Sequence, residues 1–412
     1  MQKLALYIIL LSLCSSSLYG QGYRMLLDKE GEVPVVDIIQ LPETMSDVAR
    51  FPESYLNFPG AVQTGNSSQE ILAAYIKTDS VRSIEMARSV DGGRQWTPEP
   101  FHSNWDGDTF RSLSLFNLGT PYNHRRSNTG NNNHLMLFSG GNPILISSSY
   151  TNGQQWCNFY PVNNFGGFRI TSLVRLNDGR IMALLHDDGR FLYHDEGNAA
   201  TAPLRKSAIY KIYSIDGGLT WSEPQIALKH NVHGLYDAVA VYSPTRRDNA
   251  LIMIVSERET SAAYISFSYD NGDSWSYPEK LPQFIHGDRF GIAVHRHYMA
   301  IAFRDMCRTL NDGTPNPTFG DLVMWTGDLR ELINGNMRSG IKFRIADNYP
   351  TQGSIDYDDR KFFDCGYVSV IPVSRSEVSI IAYGRWEPDE LPFIRNFLLD
   401  TDKIRQYAKS IW

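Results

Sequence analysis

The side chains able to do chemistry in this sequence are three arginines, a tyrosine and a few acids. Arg169, Arg258 and Arg304 stand in or beside strand-like apolar runs: Phe168-Arg169-Ile170, Val255-Ser256-Glu257-Arg258 and Ala302-Phe303-Arg304. A guanidinium offers planar, paired donors that match a carboxylate. Asp187, Asp188, Asp195 and Asp237 are candidate proton carriers, and cleaving a glycosidic bond needs a proton donor at the leaving oxygen. Tyr367 follows Gly366 in a strand-like run. His186, His233, His286, His295 and His297 add possible bases. A Tyr or His base beside an Arg that neutralises a uronate would suit a polysaccharide lyase instead of a hydrolase. Each residue also has a structural use. A strand Arg pairs with a surface acid, as Glu257 and Glu259 could pair with Arg258; a Tyr packs, and an Asp closes a turn.

Other chemistries find no support. There is no P-loop, no G-x-G-x-x-G after a strand and no G-x-S-x-G elbow. No C-x-x-C occurs, and His295-x-His297 is too loose to read as a metal site, so neither cofactor nor metal is expected. Asp106-Gly107-Asp108 and Asp356-Tyr357-Asp358-Asp359 read as solvated turns rather than Ca²⁺ loops. Lys plus Arg is 39 against 45 for Asp plus Glu, a net charge of −6. That argues against a nucleic-acid partner, which needs a basic face. The 22 Tyr, 20 Phe and 8 Trp suit strands and a carbohydrate partner better than a helical bundle.

At the N-terminus, Lys3, the apolar run Leu4 to Leu13 and Ser15-Ser16-Ser17 follow the order of a secretory signal. Residues 1–20 are expected to be removed, leaving residues 21–412 as one domain that is secreted or periplasmic. Lipid attachment at Cys14 is the rival processing, disfavoured by the bulky Leu13 before it. The apolar run Leu4 to Leu13 is too short to span a bilayer, and no other stretch approaches the length needed. Cys157, Cys307 and Cys365 remain, an odd number that allows at most one disulfide within the chain.

These residues need a scaffold, and an internal repeat supplies one. Ser89-Val90-Asp91-Gly92-Gly93-Arg94-Gln95-Trp96 recurs as Ser214-Ile215-Asp216-Gly217-Gly218-Leu219-Thr220-Trp221 and Ser268-Tyr269-Asp270-Asn271-Gly272-Asp273-Ser274-Trp275. A worn copy runs from Ser149 to Trp156, with Thr151 for Asp. This S-x-D-x-G-x-x-W pattern, the Asp-box, is a tight turn in which Asp accepts backbone N–H bonds, Gly takes positive φ and Trp covers the turn. Asp91, Thr151, Asp216 and Asp270 are 60, 65 and 54 residues apart, the length of a four-stranded antiparallel blade. The spacing predicts an all-β, six-bladed β-propeller of four-stranded antiparallel blades, with its last two blades lacking a clean box. Trp325-Thr326-Gly327-Asp328 is a candidate remnant, and a helix is expected near Asp400 to Lys409. The boxes themselves are structural.

The third repeat resembles the sialidase superfamily. Phe168-Arg169-Ile170-Thr171 followed by an apolar strand and Asp178-Gly179 is similar to the sialidase opening motif, and Asp187-Asp188-Gly189, Asp195 and the Asp216 box continue the match. The resemblance implies that Arg169 binds a substrate carboxylate and that Asp195 or Asp188 is the acid/base. It implies Arg258 and Arg304 as the second and third arginines of the clamp. Asp364-Cys365-Gly366-Tyr367-Val368-Ser369 resembles the segment of the nucleophilic Tyr, with Asp237 in Leu235-Tyr236-Asp237-Ala238 in place of its acidic partner. A neutral phenol avoids the repulsion that a carboxylate nucleophile would meet at an anionic sugar, and sialidases use a Tyr nucleophile. The expectation is an exo-acting glycoside hydrolase for a terminal acidic sugar, the alternatives being a uronate lyase and a non-catalytic glycan-binding propeller. The chain departs from the motif at Thr171 (Pro), Val368 (Ser) and Asn57 of Asn57-Phe58-Pro59 (Arg), and two repeats precede the match. The acidic sugar is therefore left open between sialic acid, a keto-sugar acid and a uronate.

Overall fold

Period-2 alternation of apolar residues along short segments, punctuated by Gly and Asp turns, produces strands almost throughout. The computed structural model describes residues 22–30, 33–64, 67–105, 112–119, 134–192, 206–243, 250–295, 298–334, 340–350 and 363–411. The chain opens with β1 (Gly22–Glu30), β2 (Val33–Ile39) and β3 (Met45–Ala49). Blade I is β4 (Tyr55–Gln63), β5 (Ile71–Thr78), β6 (Arg82–Ser89) and β7 (Thr97–Glu99). Blade II is β8 (Ser112–Asn117), β9 (Leu135–Gly140), β10 (Leu145–Ser149) and β11 (Tyr160–Pro161). Blade III is β12 (Ile170–Arg175), β13 (Ile181–Asp187), β14 (Ala208–Ser214) and β15 (Gln225–Leu228). Blade IV is β16 (Leu235–Tyr242), β17 (Leu251–Glu257), β18 (Ala263–Ser268) and β19 (Glu279–Lys280).

Blade V holds β20 (Gly287–His295), β21 (Tyr298–Asp305), β22 (Leu322–Asp328) and β23 (Ile341–Ala346); blade VI holds β24 (Gly366–Pro372), β25 (Glu377–Gly384) and β26 (Phe393–Asp400). The first strand of each blade is innermost, and these six strands pack in a ring around an axis. The ring is closed by β3, which pairs antiparallel with β26 as the fourth strand of blade VI. This joins the two ends of the chain and leaves no open inner edge. β1 and β2 extend blade V outward, β2 running parallel to β23. The cores lie between blades: Leu72 with Leu135, Phe138 with Ile181, Met182 with Leu251, and Ile252 with Ile301 belong to successive buried clusters. The largest cluster spans blades V, VI and I and includes Phe343, Ile380 and Ile71.

Each S-x-D-x-G-x-x-W segment is the turn from third to fourth strand of its blade. In the third, Asp216 Oδ1 accepts the N–H groups of Leu219 and Thr220 at 3.1 and 3.0 Å, and Gly218 N–H donates to Ser214 Oγ at 2.7 Å. Trp221 Nε1 donates to Gly218 O at 3.1 Å. Gly218 has φ +94°, and a Cβ there would lie 1.9 Å from Met136 Cε of blade II, so Gly is required twice over. The Trp325 segment is not a turn of this kind. Trp325 is fully buried inside β22, and after Asp328 the chain enters helix α1 (Leu329–Asn334). The expected C-terminal helix is α2 (Thr401–Ile411). Cys157, Cys307 and Cys365 are all free thiols.

Candidate active site

A distortion repeated around the ring builds the site. Five inner strands carry a register shift near their start, and four of them place one non-glycine residue there at positive φ: Phe58 (49°) in β4, Asp237 (51°) in β16, Arg289 (61°) in β20 and Tyr367 (47°) in β24. Such bulges re-aim a side chain, and left-handed non-glycine residues are strained conformations that gather at functional sites. Gly291, two residues after Arg289, is needed because a Cβ there would meet Val368 O of blade VI at 2.4 Å. Asp237, Arg289 and Tyr367 consequently line one cavity of about 170 Å³. Phe168, His186, Asp187, Asp188, Arg190, Phe191, Tyr236, Arg258, Asp288 and Arg304 complete it. Tyr367 also lines the axial channel, together with Arg169, so the cavity lies at one mouth of that channel.

Tyr367 is the centre of the arrangement. Its ring has Arg169 Cζ at 4.3 Å and Arg289 Cζ at 4.7 Å from its centroid, and Phe58 and Tyr383 stack against it at 4.7 and 5.9 Å. Its hydroxyl has no hydrogen-bond partner among the described residues. Burial pushes the phenol up to about 12, with Arg289 and Arg169 pulling it down and Asp237 and Asp288 pushing it further up. The phenol is therefore neutral at physiological pH.

Asp237 is 4 % exposed, and its Oδ1 is buried without a partner. Its backbone N–H points to His186 Nδ1 at 3.4 Å, and Oδ1 lies 3.9 Å from the same nitrogen. Burial lowers the pKa of His186, so the imidazole is neutral, with Nδ1 as acceptor.

The arginines divide into two kinds. Arg304 is fully buried and grips Asp288 with two bonds, Nε–Oδ1 at 2.8 Å and Nη2–Oδ2 at 2.6 Å, while Nη1 donates to Phe363 O. Tyr236 adds its hydroxyl to Asp288 Oδ2 at 2.8 Å. Burial alone would raise the Asp288 carboxyl, but Arg304 and Arg289 outweigh it and hold it at about 2. Arg258 Nη1 binds Asp188 Oδ2 at 2.5 Å, and Arg190 Nε binds Asp188 Oδ1 at 2.7 Å. Against its burial, those two guanidinium groups keep the Asp188 carboxyl below the usual range.

Arg169 has no carboxylate. Its Nε donates to Leu113 O and Ser114 Oγ at 3.2 and 3.0 Å, and both Nη groups make no bond to a described residue. Arg289 directs Nη1 at Asp364 Oδ1, Cys365 O and Tyr383 OH at 2.8, 2.7 and 2.5 Å, leaving Nε and Nη2 open. Asp364 is in turn held by Tyr383 and Tyr55.

The expectations fare unevenly against this geometry. Tyr367, Asp237, Asp188, Arg258 and Arg304 share the cavity, and Arg169 reaches Tyr367 from the channel side. Arg258 and Arg304, expected to hold an anion, spend their charge on Asp188 and Asp288 instead. Asp187 is a turn former whose carboxylate accepts the N–H groups of Gly189 and Phe191. Asp195, Asp106, Asp108, His297 and residues 356–359 fall outside the described residues, as do residues 1–21 with Cys14. The sequence reading missed Arg289 and Asp288. The available signal was the pattern Arg289-Phe290-Gly291 beside Phe58-Pro59-Gly60, where Gly marks a bulge two residues earlier.

No protein-family model matches the chain, and no curated protein matches it either. Among solved structures it is similar to a protein of unknown function from Dyadobacter fermentans, at 13% identity over 92% of this chain and 99% of that one, with a TM-score of 0.62. It is similar to a Hadza microbial sialidase, at 13% identity over 90% and 72% of the two chains, TM-score 0.56. It is also similar to an alpha-L-arabinanase from Penicillium chrysogenum solved with arabinobiose, at 12% identity over 87% and 98%, TM-score 0.56. At such identities the likeness establishes the architecture: this chain is a six-bladed propeller of the shape shared by a sialidase and an arabinanase.

Proposed function

We propose that the protein is an exo-acting glycoside hydrolase that removes a terminal acidic sugar from a glycan, in the manner of sialidases. The carrying observation is the pair of guanidinium groups with open donors, Arg169 and Arg289, against the ring of a phenol whose hydroxyl is unpartnered. Half-buried guanidinium donors that the protein leaves open to a cavity favour an anionic ligand that satisfies them. The cavity of about 170 Å³ is small beside the ~300–1,000 Å³ of sites for larger ligands, which favours one terminal sugar over a threaded chain. Two neighbours of this shape, named for sialidase and arabinanase activity, lend the reading support from outside the chain.

In this reading the Tyr367 oxygen attacks the anomeric carbon and the glycosidic C–O bond breaks. Asp237 takes the phenol proton through its unpartnered Oδ1. The leaving oxygen receives a proton from a second acid. Asp188 is held ionised by Arg190 and Arg258 and is a poor donor at neutral pH, so we assign that role to Asp195. Water then cleaves the glycosyl-tyrosine bond and restores both groups. Arg169 and Arg289 hold the sugar carboxylate, while Arg304 and Arg258 fix the acids around it. The N-terminal twenty residues are taken as a signal that delivers the enzyme outside the cytoplasm.

The test is release of free sugar from glycans ending in sialic acid, other keto-sugar acids or uronic acids. Tyr367→Phe is expected to lower turnover at least ~10³-fold with an unchanged unfolding midpoint, because the hydroxyl it removes bonds to no described residue. Wild-type turnover in that variant overturns the nucleophile, and an ultraviolet-absorbing unsaturated product overturns hydrolysis in favour of elimination.

A further inference from the structure

A second set of ligand-type side chains lies beside the cavity without lining it. His233 stands in the loop before β16, Glu257 ends β17 and Glu259 follows in the turn to β18. One ligand atom from each lies within 4.8 Å of the others. Glu257 is 2 % exposed, an unusual burial for a carboxylate. Among the described residues neither Glu257 nor Glu259 is paired with a Lys or Arg, and the cationic candidate is His233 alone. Carboxylate oxygens of Glu257 and Glu259 lie within 4.8 Å of each other. A buried acid with a second acid this close favours a shared proton or a cation, because buried charge is otherwise compensated by a partner or a metal.

The geometry separates those two possibilities. His233 Nδ1 lies 3.3 Å from Glu257 Oε1, yet the two form no hydrogen bond. That spacing is the edge of a tetrahedron whose arms are ~2.0–2.1 Å, the bond lengths of Zn²⁺ to imidazole and carboxylate. The second oxygen of Glu257 is fixed by Thr260, whose Oγ1 donates to Oε2 at 2.6 Å. The His233 ring is fixed by stacking on His230 at 4.8 Å. His230 Nδ1 in turn accepts the N–H groups of Val232 and His233 at 3.2 and 3.0 Å. Contacts of this sort orient ligands before a metal arrives.

We propose that His233, Glu257 and Glu259 form a site for one divalent transition cation, Zn²⁺ by its nitrogen-and-oxygen ligand set and close spacing, with water completing the coordination. Ca²⁺ fits less well, since it asks for six to eight oxygens. The site is structural. It ties the loop of His230–His233 to the corner that carries Arg258, where Arg258 N–H already donates to Gly234 O at 2.8 Å. It does not depend on the hydrolase reading, because none of its three ligands lines the cavity.

The experiment is calorimetric titration of the chelator-treated, untagged full chain with ZnCl₂, and separately with CaCl₂. One saturable equivalent of Zn²⁺ is expected, together with a rise in the unfolding midpoint that depends on Zn²⁺ concentration. His233→Ala should weaken that equivalent at least ~100-fold and Glu259→Gln at least ~10-fold. Both side chains are partly or fully exposed, so the variants are expected to fold, which circular dichroism without metal verifies. The proposal is overturned if the wild type takes up no first equivalent of Zn²⁺. It is equally overturned if the His233→Ala/Glu259→Gln double variant binds as the wild type does, or if only Ca²⁺ binds.

Discussion

The two walls of the candidate cavity carry similar groups in opposite states. On one wall, Asp288 with Arg304, and Asp188 with Arg190 and Arg258, are locked together at 2.5 to 2.8 Å. On the other, buried Asp237 has an open acceptor, and half-buried Arg169, reaching in from the channel side, has open donors. A desolvation cost falls on both sides, on the buried Asp288, Arg304 and Asp188 in the first and on the buried Asp237 in the second. In the first wall the protein compensates itself, and the charge becomes scaffold. In the second the compensation is missing within the protein, which is what a site awaiting a polar, anionic ligand requires. An arginine in a pocket is thus informative only once its partner is known.

The largest effect separating the walls is expected at Arg304. Arg304→Met removes the bidentate partner of a buried carboxylate and should destabilise the fold by about 3–5 kcal/mol, measured by urea unfolding. The pH dependence sharpens this. Asp288 is held at about 2 in the folded protein, below its ordinary value near 3.8, so its stabilisation is complete above the unfolded pKa. It is lost as pH falls through the folded one. Without Arg304 the folded pKa rises, and the acid-unfolding midpoint should move to higher pH. A loss under about 1 kcal/mol with an unmoved midpoint would erase the distinction between scaffold and site.

This division also marks where the sequence stops being readable. The four turn segments were legible because their chemistry is complete within eight residues: Ser214, Asp216, Gly218 and Trp221 bond to one another. Their spacing then implied the number of blades. Arg304 looked free because its partner, Asp288, is sixteen residues away and meets it only through the register of β20 with β21. Arg289 went unseen because Asp288-Arg289-Phe290 reads as an ordinary alternating strand. Only the bulge, with φ 61° at Arg289, turns that side chain to the axis. Tyr367 and Asp237 were found through a resemblance, but their placement depends on the same device. Trp325-Thr326-Gly327-Asp328 misled because the letters of a turn can also end a strand, here one whose Trp is buried.

The next effect in size is expected at Arg169. Arg169→Met keeps a long apolar side chain against Tyr367 and removes no ion pair, so stability should change by less than about 1 kcal/mol. Substrate binding should suffer instead. Hydrogen bonds to a charged group are worth about 1.5–3 kcal/mol, so KM for the acidic glycan should rise roughly 10- to 100-fold. Steady-state kinetics beside urea unfolding make the comparison, and the reverse outcome, a destabilised protein with wild-type KM, would move Arg169 to the scaffold wall.

The smallest expected effect tests the most exposed member of the scaffold. The Arg190 side chain is 39% exposed, and Asp188 would keep its 2.5 Å bond to Arg258 if Arg190 were lost. Arg190→Gln should therefore cost less than about 1 kcal/mol. What it changes is the Asp188 carboxyl, which loses one of the two groups holding it down, so its folded pKa rises toward the ordinary value. The stabilisation it gives above the unfolded pKa then shrinks and fades at a slightly higher pH. If Asp188 is scaffold, turnover across the neutral range stays within about twofold of wild type, since surface changes of this kind amount to ~0.5 kcal/mol. If Asp188 were instead the proton donor, a larger protonated fraction would raise the rate on the acidic side and shift the descending limb of the pH profile upward. A single pH–rate curve for Arg190→Gln therefore decides whether the proton comes from the locked wall or from Asp195.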